Sequence, residues 1–173
     1  MRLRASLALG GILASAVLLT ACTSIPEVDL PDLAALGLDP VSCEDTVQMA
    51  GIAAEGAESQ LECWAGSPES GYIVTAESIL ALLVDSTGGD DVSEALCWED
   101  TLTDTEGSAC RAVLVGSTED GAVVSAVVAL EDPSAVTGDL GDAPSDDEVA
   151  AAISGADIEV LVFSEPARLE TQQ

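Results

Sequence analysis

The chain has 173 residues, 32 of them acidic, against four arginines and no lysine or histidine. Without histidine or lysine there is no Ser-His-Asp triad, no Cys-His pair, no Schiff base and no phosphate-loop lysine. A surface this acidic repels phosphates, so nucleic-acid binding and binding to anionic lipid headgroups are excluded too.

Hydrophobic residues make up 48% of the chain but aromatic ones only 2%. The expected core is therefore mainly Val, Leu, Ile and Ala, with Trp64, Trp98, Tyr72 and Phe163 as its anchors. The length leaves room for one domain of the usual ~100–150 residues.

In chain order, Arg2 and Arg4 precede a charge-free, Ala- and Leu-rich run from Ala5 to Leu19. This is the layout of a secretory signal peptide. The run is shorter than the ~20 residues of a spanning helix. It ends in Leu19-Thr20-Ala21-Cys22: a branched apolar residue, two small residues and a cysteine. That tetrapeptide resembles the lipobox of bacterial lipoproteins. The resemblance covers residues 1–22 and implies that residues 1–21 are a cleaved leader. It also implies that the Cys22 sulfur takes a diacylglycerol and that the chain is held at the extracytoplasmic face of the cell membrane. One acyl chain binds a bilayer marginally and reversibly, and two make release slow. No arginine pair is adjacent, which favours ordinary unfolded export over the twin-arginine route. The alternatives are a retained signal anchor and a signal peptide without lipid. Every acidic residue follows Cys22, and only Arg111 and Arg168 remain there as bases. The formal charge of that part is −30, two arginines against 32 carboxylates.

Residues 22–40, with Pro26, Pro31 and Pro40, are expected as a lipidated N-terminus and tether, in which Leu33 to Leu36 can form a helical turn. A single globular domain is expected over 41–168 and a tail over 169–173. Ser42 caps a helix that runs toward Gly56, with Val47, Ala50, Gly51 and Ala54 on one face. Gln60 to Trp64 and Gly71 to Thr75 are expected as strands about the turn Gly66-Ser67-Pro68. Ala76 to Val84 is expected as a helix capped by Thr75 and stopped at Gly88-Gly89, with a buried strand as the alternative. Asp91 to Asp100 has no clear pattern, but Leu96-Cys97-Trp98 is expected to be buried.

Cys110 to Gly116 and Ala122 to Leu130 are valine-rich and flank Asp120-Gly121, a hairpin signal. A polar loop is expected over Asp132 to Pro144. Ser145-Asp146-Asp147-Glu148 matches the capping box of a helix that continues to Ser154 and ends at Gly155. Ile158 to Phe163 is the final strand, ended by Pro166. The expected fold is α+β: an antiparallel sheet with two or three helices and two disulfides.

With Cys22 assigned to lipid, Cys43, Cys63, Cys97 and Cys110 are an even set in an exported chain. The expected pairing is Cys43 with Cys63 and Cys97 with Cys110, because each pair joins neighbouring elements. No two of the four stand at the spacing of structural zinc ligands, so no metal site is expected from them. Asp39-Pro40-Val41-Ser42-Cys43 and Cys63-Trp64 are also similar to small actinobacterial lipoproteins of unassigned function, a likeness that implies no activity.

Carboxylate-only chemistry survives the exclusions. Asp85-Ser86-Thr87-Gly88 approaches the aspartic-protease pattern, with its glycine one position late. Three acidic clusters offer oxygens to calcium: Asp85, Asp90 and Asp91; Asp100, Asp104 and Glu106; Asp139, Asp142, Asp146 and Asp147. None has the EF-hand order, and solvated surface acids explain them. The expected function is a non-enzymatic binding or interaction module without cofactor, taking a protein or small-molecule partner. The alternative is an acidic calcium-binding or envelope-structural domain.

Overall fold

The structure is a computed structural model, and it describes residues 28–44, 60–138, 140–141 and 144–167. Cys22, the leader, most of the helix expected after Ser42, and Arg168, Asp139 and Asp142 lie outside the described residues. No helix among the described residues is long and apolar enough to cross a membrane.

The fold is α+β, built on an antiparallel seven-stranded sheet with two disulfides, as expected. The strands are β1 (Asp39–Val41), β2 (Leu61–Gly66), β3 (Asp90–Asp91), β4 (Thr101–Leu102), β5 (Gly107–Val115), β6 (Ala122–Leu130) and β7 (Ile158–Pro166). Their spatial order is β1-β2-β7-β6-β5-β3, and β4 shares the outer edge of β5 with β3. The four helices described are α1 (Gly71–Thr87), α2 (Ser93–Leu96), α3 (Pro133–Thr137) and α4 (Asp146–Ile153).

The central hairpin forms where the valine pattern places it, with Val115 opposite Ala122 and Ser108 opposite Ala129. Its loop requires Gly121. A Cβ there would stand 2.3 Å from the Ser117 carbonyl oxygen and 2.4 Å from that of Val115, and neither backbone atom can yield.

One face of the sheet carries Ala109, Val113, Val124, Ala126, Val128, Val160 and Val162, and α1 packs on it through Tyr72, Ala76, Ile79 and Leu83. This corrects the expected strand at Gly71 to Thr75, and with it the expected cap at Thr75. The buried positions 72, 75, 76, 79 and 83 recur at helical spacing through that segment, so the two expected elements are one helix. The Thr75 hydroxyl donates to the Gly71 carbonyl oxygen one turn back, inside the helix. The helix stops at Gly88, whose φ of 65° is the left-handed C-cap that glycine adopts freely.

The stretch expected as a tether also differs. Leu33 and Leu38 are buried at 0% and 1% exposure and join Val28 against the core beside Trp64. The Val28 amide donates to Gln60 Oε1 at 3.1 Å. The expected turn appears at Ala34–Leu36, and β1 then pairs with β2. The folded unit therefore takes in residues 28–40, because the Leu33 and Leu38 side chains outweigh the prolines around them. The polar loop of 132–144 also contains the short α3, capped by the Asp132 carboxylate.

The opposite face is closed by the disulfides. Cys63, Leu161, Val127 and Cys110 are successive partners along one row across β2, β7, β6 and β5. Cys43–Cys63 sits at one end of that row and Cys97–Cys110 at the other. Both pairings are those expected. The sequence separations are 20 and 13 residues. Closing loops of this size stabilises by ~3 kcal/mol each on the chain-entropy model.

Candidate binding site

The segment 97–102 passes along the outer edge of β5 and is held at three points. Cys97 is bonded to Cys110. Asp100 accepts from Arg111 Nη1 and Nη2 at 2.8 and 2.9 Å. Thr101 pairs in β4 with Ser108, and its carbonyl accepts from the Tyr72 hydroxyl.

Arg111 is the centre of this clamp. It is 8% exposed on the α1 face of β5 and spends all five N–H donors. Nε and Nη2 reach Glu77 Oε1 on α1 at 3.1 and 2.6 Å, and Nη1 also reaches the Cys110 carbonyl at 2.6 Å. The Asp100 hydrogen bonds push the guanidinium still further toward its charged form; burial opposes this, and Glu77 adds to it.

Trp98 lies inside the clamped segment and is 45% exposed. Leu96 is also exposed and Cys97 half-buried. The expectation that Leu96-Cys97-Trp98 is buried, and that Trp98 anchors the core, is corrected. The disulfide, the arginine pair and β4 fix the backbone at the sheet edge, and the indole beside it is left partly exposed. Trp64 and Tyr72 are core residues as expected, and Phe163 is half-buried on the disulfide face.

Trp98 lines a cleft of about 510 Å³ at the ends of β5 and β6. Ser108, Val127 and Ala129 contribute from the strands, Thr101 and Thr105 from beside them, and Glu106 and Glu131 add carboxylates. Gly107 also lines it, and a Cβ there would stand 2.5 Å from the Leu130 side chain. Sequence reasoning missed this site. The available signal was that Trp98 stands in Trp98-Glu99-Asp100-Thr101-Leu102-Thr103-Asp104, a polar run unlike the setting of a core aromatic.

The first two acidic clusters are not brought together, and Asp139 and Asp142 of the third lie outside the described residues. Among the described residues no three acids, cysteines or histidines converge as metal ligands. Asp100 is turned to Arg111. Asp91 accepts from the Ser93 hydroxyl and amide at 2.7 and 2.9 Å, which holds its carboxyl below the usual range. Asp85 lies in the last turns of α1, so Asp85 to Gly88 forms a helix end rather than a catalytic loop.

The chain is thus an acidic α+β domain with two disulfides and an aromatic-rimmed cleft. No protein-family model matches it, and neither a curated protein nor a solved structure shows significant similarity to it.

Proposed function

We propose that this protein is an extracytoplasmic lipoprotein anchored through Cys22, whose domain is a non-enzymatic binding module with its site at the Trp98 cleft. One observation carries the placement: a large aromatic side chain is left exposed on a segment held by a disulfide, a charge clamp and strand pairing. Burying a tryptophan is worth several kcal/mol of area. A fold that rigidly presents one at a cleft is organised for contact with another molecule. The lipobox and the preceding charge-free run support the anchor. The absence of histidine and lysine supports binding over catalysis.

Two substitutions test the reading. Cys22→Ala releases the protein from the membrane fraction and removes the diacylglycerol mass; full membrane retention with that mass intact refutes the anchor. Trp98→Ala costs less stability than truncation of a core tryptophan, since 45% of its area stays exposed. A loss of ~3–5 kcal/mol, the cost of a core tryptophan, would return Trp98 to a structural role.

A further inference from the structure

We infer that the Trp98 cleft takes a small organic cation, an ammonium ion with an apolar body. This rests on the cleft being the binding site and adds the chemical class of its ligand.

Three features of the lining point the same way. The rim is an exposed indole, whose face attracts cations, and more strongly where water is excluded. The floor is apolar, from Val127 and Ala129. The charged lining groups, Glu106 and Glu131, are both carboxylates. Among the described residues no base offsets them. The four arginines of the chain are Arg2, Arg4, Arg111 and Arg168, and the one among the described residues, Arg111, is fully engaged by Glu77, Asp100 and the Cys110 carbonyl. An anion entering the cleft meets Glu106, Glu131 and the field of a strongly acidic domain. A neutral ligand gains nothing from that field. A compact cation with methyl or methylene groups uses all three features: the charge over the indole, the carboxylates around it, and the apolar body on the floor. Thr101, Thr105 and Ser108 add hydroxyl acceptors for any N–H or O–H it carries.

The cation stands free rather than within a phospholipid headgroup, because the adjoining phosphate would face the same two carboxylates.

The test uses the full chain in detergent and isothermal titration at constant ionic strength. Four probes are compared: choline, its carbon isostere with a tert-butyl group in place of the trimethylammonium, phosphocholine, and the neutral glycan maltotriose. Choline is expected to bind saturably at one site, at least ~10-fold more tightly than the isostere and than phosphocholine. Trp98→Ala should weaken it ~10-fold or more, Trp98→Phe less, and Glu106→Gln and Glu131→Gln several-fold each. Where Trp98→Ala does not fold, the phenylalanine and glutamine variants carry the same comparison.

Equal binding of choline and its isostere overturns the cation assignment, and so does equal or tighter binding of phosphocholine. Absence of saturable choline binding overturns it as well. In that case maltotriose binding that Trp98→Ala abolishes leaves the cleft as a binding site for a neutral ligand. Choline binding that Trp98→Ala leaves intact removes both the cation assignment and the cleft.

Discussion

The Tyr72 ring is 1% exposed in the first turn of α1, and its hydroxyl donates to the Thr101 carbonyl. Burial, and then the nearby Asp100 carboxylate, push its phenol up to about 12. A raised folded value favours the neutral phenol. Its contribution to stability is present below the unfolded value of ~10 and is lost as pH rises from there through about 12. The chain has one tyrosine, so tyrosinate absorbance reads Tyr72 alone. The expected titration has its midpoint well above that of free tyrosine. A midpoint near ~10 with native circular dichroism would contradict the burial argument. Arg111 makes a second prediction at this scale. Arg111→Met strands Asp100 and the Cys110 carbonyl, and is expected to cost roughly 2–4 kcal/mol in urea unfolding. Glu77 is 59% exposed in its side chain, so Glu77→Gln should cost at most ~1 kcal/mol. Equal costs for the two would mean that the clamp centres on α1 rather than on Asp100.

Helix α4 shows what capping does for a short element. It has eight residues, too few to be helical alone, and Ile153 is its buried residue. Ser145 Oγ accepts from the Glu148 amide at 3.4 Å, and Glu148 Oε2 accepts from the Ser145 amide at 2.8 Å. That amide and then the Ser145 hydroxyl hold the Glu148 carboxyl below its ordinary value. A depressed folded value means stability that is present above ~4.3 and lost as pH falls through the folded value. Glu148→Gln should therefore lower stability above pH ~5, and its difference from the wild type should shrink as pH falls below ~4, which flattens the acid limb of the melting profile. Ser145→Ala should cost ~1 kcal/mol at neutral pH. An acid limb unchanged by Glu148→Gln would show that the box does not hold in solution.

At the scale of the molecule, a formal −30 after Cys22 on a domain with one described arginine means self-repulsion in the compact state. Salt screens it, so the melting temperature should rise with ionic strength from low values. Sodium and calcium salts matched for ionic strength should act alike, because the acids do not converge among the described residues. A saturable rise at calcium too dilute to screen, following RT ln(1 + [Ca²⁺]/Kd), would instead establish a specific calcium site.

The sequence by itself determined the elements whose cause is local: the hairpin at Asp120-Gly121, the capping box at Ser145 and Glu148, the helical turn at Leu33 to Leu36, and the α+β class. It also carried the disulfide pairing, because Cys43 with Cys63 and Cys97 with Cys110 each join elements close along the chain. Tertiary structure decided what depends on distant partners. Gly71 to Thr75 is valine- and threonine-bearing and looks like a strand alone, but its apolar positions fit a helix once α1 lies across β5 and β6. Leu33 and Leu38 read as tether until the core beside Trp64 offers them a place. Trp98 is an ordinary core candidate in one dimension. Its exposure follows from Arg111, 13 residues away, and from the disulfide at Cys97. The cleft depends on strand ends and loops brought together by register, and no local pattern encodes that meeting.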